Sequence, residues 1–308
     1  MARFVKTISA ELWYNDRHDI ERKQIMKTGI IDVGGGMRGI YCAGVLDRIM
    51  DDGICFDYCA GVSAGSANLS TYMAGQRGRT FRFYMDYSFR KEYMSARNFL
   101  FKRSYIDMDY VYGTLSNEGG EDPLDYDAFE RSEAELNVVA MDALTGEPKY
   151  FTKDDMSRNN YAPLKASCCI PVVCRPYVVD GRAYFDGGMA DPVPIAKAFD
   201  DGCDKVVVLL TKPRDFLRTP DRDAKPARLL KRRYPASAMR LMSRFKTYND
   251  SVALAKRYEA EGRALIIAPS DTCGVDTLTR DKSALQALYE KGLADGAAAA
   301  GFIGRSRA

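Results

Sequence analysis

Short apolar runs bounded by glycine, proline or charge recur along this chain, and most have the length of a strand. The first is Thr28-Gly29-Ile30-Ile31-Asp32-Val33, a buried-strand pattern. It runs straight into Gly34-Gly35-Gly36-Met37-Arg38-Gly39, and residues 40–46 after it are helix-compatible. A second run, 56–62, ends in Gly61-Val62-Ser63-Ala64-Gly65 and passes into a small-residue helical stretch, 67–73. Strand, glycine loop, helix, strand, sharp turn and helix form a βαβα opening. It predicts a single α/β domain whose central, mostly parallel sheet is sandwiched by helices in three layers.

The later pattern fits the same architecture. Residues 76–135 are polar and rich in aromatics and charge, which predicts helix and loop, with 105–112 and 123–129 lining a mouth. Asn137-Val138-Val139-Ala140-Met141 reads as a strand that turns at 145–147 into a partner at 149–152. A short helix at 163–169 precedes a second hairpin, 177–179 with 183–185, whose turn is Asp180-Gly181 and which ends in Asp186-Gly187-Gly188. Residues 194–199 are helical and 205–210 are a strong central strand. Leu241, Phe245, Tyr248, Val252 and Ala255 step by four and three, the apolar face of a helix closed by Gly262. A last strand at 265–267 and a last helix at 283–296 follow. This divides the chain into a charged N-terminal tail (1–27), a core (28–210) and a C-terminal part of the same domain (211–308).

Composition adjusts this picture little. The 308 residues are 46% hydrophobic and 28% charged, as in a globular protein. A net charge of +3 is too small to imply nucleic acid. It hides an asymmetry, because 212–246 holds 12 Lys/Arg against 3 Asp, a local +9 that leaves −6 for the remainder. That basic, helical stretch is expected either to meet an anionic membrane peripherally or to answer acidic residues elsewhere on the chain. The eight cysteines show neither a CxxC pair nor a metal spacing, and no signal-like or membrane-spanning run is visible. Reduced thiols, a cytoplasmic location and no metal are the expectation.

The chemistry gathers at the glycine-flanked turns. In Gly-x-Ser-x-Gly a strand-to-helix elbow lifts Ser63 to an apex, and backbones approach so closely that Gly61 and Gly65 can carry no side chain. Gly34, Gly35, Gly36, Met37, Arg38 and Gly39 also satisfy the dinucleotide fingerprint, but the second strand ends in Ser63, and Asp57 precedes it. Consecutive N–H groups there suit an oxyanion as well as a phosphate. The single histidine, His18, lies in the charged tail, so the base for Ser63 must be a carboxylate or lysine. Asp186, closing a strand before Gly187 and Gly188, is the candidate. A dinucleotide-dependent enzyme, an acyltransferase and a non-catalytic interaction protein remain alternatives.

The ordered blocks GGGMRG, GVSAG and DGG, with Val138-Val139-Ala140 and residues 166–171 between them, resemble the patatin-like phospholipase family. The resemblance covers 28–210 and implies a patatin-like fold and a lipid acyl hydrolase without cofactor. In it Ser63 is acylated, Asp186 is the base, and N–H groups around Gly35 and Gly36, aided by Arg38, hold the oxyanion. The expected partner is a lipid or other acyl ester. Two departures stand out: Val33 where another glycine often precedes the loop, and Asp191 where many members carry asparagine.

Overall fold

The computed structural model describes residues 26–303, so His18 and nearly all of the charged tail lie outside the described residues. Eight strands join in one sheet: β1 (Thr28–Asp32), β2 (Tyr58–Val62), β3 (Glu135–Asp142), β4 (Pro148–Phe151), β5 (Tyr177–Val179), β6 (Arg182–Asp186), β7 (Lys205–Leu209) and β8 (Ala264–Ile267). Their order is β5-β6-β3-β2-β1-β7-β8, with β4 also paired to β3. From β3 to β8 neighbours run parallel, while β4, β5 and β6 are antiparallel additions made by the two hairpins.

Alternation along the strands divides the core in two. Ile30, Cys59, Val138, Val207 and Leu209 face one side, where the helices Ile40–Asp51, Ala64–Met73 and Lys282–Asp295 pack. Ile31, Tyr58, Ala60, Val206 and Val208 face the other, against Ile195–Asp200 and the long helix Pro235–Ala260. A strand buried on both faces reads as a continuous apolar run, which is why β1 and β7 stood out in the sequence. The amphipathic helix is longer than its periodic face suggested, and Gly262, at φ 73°, follows its end.

One detail of register positions everything that follows. β3 pairs with β2 along 135–139, with β4 along 138–141 and with β6 along 140–142. A strand has two edges, and β4 overlaps both of the other partners. β2 and β6 therefore share the opposite edge, one ending where the other ends. Val62 lies beside Val139 and Asp186 beside Ala140, so Ser63 and Asp186 emerge at adjoining positions of one strand.

The basic stretch is knitted into this body. Ala227 and Leu230, from the helix Asp221–Leu230, join Tyr234, Ala238 and Leu241 in a cluster with Phe185 and Met189. Half of its twelve cations meet carboxylates: Arg214 with Glu259, Arg218 with Asp223, Arg222 with Asp276, Arg240 with Glu147, Arg244 with Asp223 and Lys246 with Asp250.

Candidate active site

Ser63 sits at φ 56°, ψ −131°, a conformation that a non-glycine residue holds only when its surroundings over-determine it. Two restraints are visible. A side chain on Gly61 would stand 2.3 Å from the Ser66 Cα, and one on Gly65 would meet the Asp32 carbonyl at 2.2 Å, so the elbow closes only around bare backbone. The Ser63 N–H donates to the Ser167 hydroxyl at 2.8 Å, and that hydroxyl donates to the Val139 carbonyl at 2.6 Å. Ser167, fully buried, thereby ties the elbow to β3, and nothing in its sequence surroundings marked that role.

The Asp186 carboxylate accepts the Gly188 N–H at 2.8 Å and is buried beside Ser63. Burial pushes its pKa above the usual 3.8, and the Arg244 charge, the Ser63 hydroxyl and the Gly188 amide only partly offset this. Arg244 reaches in from the long helix and donates through Nε to the Gly188 carbonyl at 2.7 Å. A side chain on Gly187 would meet the Val139 carbonyl at 2.1 Å, which explains the first glycine after Asp186. The Asp191 carboxylate accepts the Tyr150 hydroxyl at 2.7 Å.

Gly34, Gly35 and Gly36 all take positive φ (62°, 131° and 61°), a run that residues with a Cβ cannot follow. The loop is held from three directions. Asp32 Oδ1 accepts the Gly34 N–H at 2.8 Å, the Thr211 hydroxyl donates to the Gly34 carbonyl, and the Met37 N–H donates to the Thr277 carbonyl at 3.0 Å. With those two amides occupied, the N–H groups of Gly35 and Gly36 are the loop amides left without a partner. Arg38 is buried, its Nη1 bound to Asp276 and Thr277, and its Nε has no partner. Gly39 lies beyond the loop, its carbonyl accepting from Asn68 at 3.2 Å.

Asp32 is the residue that the sequence reading missed most plainly. Fully buried, it accepts from Gly34 and from Asn68 Nδ2, and burial raises its pKa to about 6. A lone carboxylate inside an apolar strand was the available signal. Asp57, by contrast, lies at the far end of β2 and accepts from the Thr28 N–H and hydroxyl at 2.7 and 2.9 Å. It cannot serve the acidic role that the dinucleotide reading requires at the glycine loop.

Two cavities meet at Ser63. One is walled by Phe83, Tyr93, Met94, Met108, Val111 and other apolar side chains. Of the segments expected at a mouth, 105–112 contributes to this wall and 123–129 does not. The second is wider and carries the charge: Arg38, Lys212, Arg218, Arg222 and Arg244 line it, with Asp186, Asp223 and Asp276. Gly36, Ser63, Ile170 and Thr277 border both. Half-buried among arginines, Lys212 has its pKa lowered to about 8, first by desolvation and then by Arg38 and Arg222. Among the described residues no cluster of His, Cys, Asp and Glu is arranged to hold a metal, and the eight cysteines are unpaired.

A mostly parallel sheet with a strained serine elbow beside a glycine loop defines a class of α/β proteins. The patatin-like phospholipase model matches residues 33–199, more than half of the chain, and the chain belongs to that family. A second model, Domain of unknown function (DUF6363), matches 234–301. The Escherichia coli protein YjjU is 31% identical over 199 residues, 63% of this chain and 54% of its own length. The NTE family protein Rv1063c of Mycobacterium tuberculosis is 32% identical over 99 residues, 32% of this chain and 26% of its own length. The chain is thus matched to about half, or less, of these relatives. VipD from Legionella pneumophila, a solved structure, aligns with 89% of this chain and 66% of its own at 14% identity and a TM-score of 0.46.

Proposed function

We propose that this chain is a lipid acyl hydrolase working through a Ser63–Asp186 dyad. The observation that carries the reading is Ser63, on a strained elbow, emerging beside the buried Asp186 carboxylate where an apolar and a basic cavity meet. In this scheme Asp186 takes the proton as Ser63 Oγ attacks the ester carbonyl. Its raised pKa makes it a better acceptor than an ordinary aspartate. The N–H groups of Gly35 and Gly36 receive the negative charge of the tetrahedral intermediate, a stabilisation worth about 3 kcal/mol per donor. The alcohol departs with the proton from Asp186, leaving Ser63 acylated, and water then repeats the sequence in the second half. The acyl chain occupies the apolar cavity and the alcohol part faces the cations of the other, which favours phosphate-bearing esters over neutral ones. Family membership supports the lipid acyl substrate class.

The direct test is labelling with a fluorophosphonate probe. Wild type should label, Ser63→Ala should not, and Asp186→Asn should label at least a hundredfold more slowly. Undiminished labelling of Ser63→Ala would sink the assignment. Added acceptor alcohols should leave the free acid as the main product, which separates a hydrolase from an acyltransferase.

A further inference from the structure

The helix Ala96–Lys102 is built inside out. Its polar Asn98 is buried, Nδ2 donating to the carbonyls of Glu92 and Tyr93 at 2.9 and 3.3 Å. Its three large apolar residues, Phe99, Leu100 and Phe101, stand 51%, 75% and 80% exposed. Among the described residues no other three consecutive large apolar side chains are exposed in this way. Successive residues on a helix point about 100° apart, so the three wrap around its outer side and no single neighbouring element of the chain covers them.

The surroundings say what does. Residues 91–103 carry Lys91, Arg97, Lys102 and Arg103 against Glu92 alone, a net +3. The Arg97 guanidinium lies 5.9 Å from the Phe101 ring centre, and Lys102 pairs with Asp107. Aromatic and leucine side chains ringed by long cations are the chemistry of an interfacial anchor, in which rings enter the acyl boundary and the cations stay with anionic headgroups. A protein partner would ask for a flatter, less charged surface.

The position is equally specific. The excursion 95–105 is closed at its base by the Met94–Ile106 bridge, with the Ser95 N–H donating to the Tyr105 carbonyl at 3.2 Å and the Asp107 N–H to the Tyr93 carbonyl at 2.8 Å. Tyr93, Met94, Ile106 and Met108, from the two legs of that base, line the apolar cavity that reaches Ser63. The exposed tip and part of the cavity wall therefore belong to one continuous excursion of the chain.

We propose that Phe99, Leu100 and Phe101, flanked by Arg97, Lys102 and Arg103, seat the protein on an anionic phospholipid bilayer, with the apolar cavity opening toward the acyl layer. The seating rests on exposure and charge alone; only its catalytic use rests on the Ser63 reading. The test is cosedimentation of the full chain with vesicles of phosphatidylcholine, with and without a quarter phosphatidylglycerol. Wild type should bind the anionic vesicles, more weakly at high salt. Leu100→Asp/Phe101→Asp should lose at least tenfold in partitioning, while its kcat/KM on a soluble butyrate ester stays within twofold of wild type, which also reports that it folds. Arg97→Glu/Arg103→Glu should lose the preference for phosphatidylglycerol.

Wild type that stays in the supernatant, or a tip variant that sediments like wild type, overturns the proposal. So does binding that disappears in Lys231→Glu/Arg232→Glu/Arg233→Glu but survives in the tip variant, which would move the membrane face to the basic stretch. A wild-type dimer that the tip variant converts to monomer would make the tip an interface between copies, and also overturns it. Wild type that binds vesicles yet hydrolyses no ester would refute the Ser63 reading and leave the seating intact.

Discussion

The two cavities beside Ser63 are built by opposite means. The apolar one is enclosed largely by residues 79–115, a segment of short helices whose inward side chains are mostly aromatic or aliphatic. The basic one is walled largely by residues 211–248, where cations lean on Asp223, Asp276 and Asp186 without being fully neutralised. Apolar walls reward each buried methylene by about 0.8 kcal/mol and are indifferent to where along the chain it lies. Charged walls act at longer range and discriminate by sign, but solvent and salt screen them. One side is thus suited to measuring length and the other to sensing charge, and Gly36 borders both.

That shared border gives the largest effect. Gly36→Ala puts a Cβ 2.4 Å from the Thr277 carbonyl at φ 61°, so the amide must shift. Hydrolysis should fall about a hundredfold or more for every ester, whatever its tail or alcohol, as measured by kcat/KM. A loss confined to one substrate class would show that the loop serves one cavity only. Next comes the apolar side. Val111→Trp should cost long-chain esters of order a hundredfold, as four or so methylenes lose their place, and leave acetate esters within about threefold. Equal losses across chain lengths would show that the acyl group lies elsewhere.

The basic side yields smaller numbers. Lys212→Ala/Arg222→Ala should lower kcat/KM about three- to tenfold for esters with an anionic alcohol part, and hardly at all for neutral ones. The difference should vanish in half-molar salt. The smallest effect is a displacement of the pH profile. In the proposed role Asp186 must be ionised, and its pKa lies above 3.8, so activity should fall as pH drops through that raised value. Arg244 holds the value down; Arg244→Gln removes that charge and should move the acidic limb to higher pH. A shift to lower pH would contradict the assigned contact.

Much of this was legible in the chain because it depends on local geometry. A glycine run that only positive φ can follow, a serine elbow and a hairpin ending in Asp186 each announce themselves within ten residues. The single histidine, His18, left a carboxylate or lysine as the expected base, with Asp186 as the candidate. What stayed hidden depends on contacts distant in sequence. Ser167 gained meaning only when its hydroxyl fell between Ser63 and Val139. Thr211 and Thr277 are ordinary loop threonines until they grip the glycine loop. The aromatic segment after residue 76 lacked any clear period because its residues line a cavity from several short helices. The basic stretch, expected to meet a membrane or to answer acidic residues, also supports the turn at Gly188 through Arg244.

The shared edge of β3 has a consequence for the order in which the molecule becomes competent. A growing polypeptide exposes the elbow at Ser63 early, when β2 is still waiting for a neighbour. The carboxylate follows only when the hairpin of β5 and β6 has docked end to end with it, and the threonine that grips Met37 belongs to the last part of the chain. On the proposed dyad, a ribosome-bound fragment ending before β6 would carry an inert serine. Reactivity would then arrive only with the docked hairpin and Thr277, and its onset would serve as a clock for the assembly of the sheet.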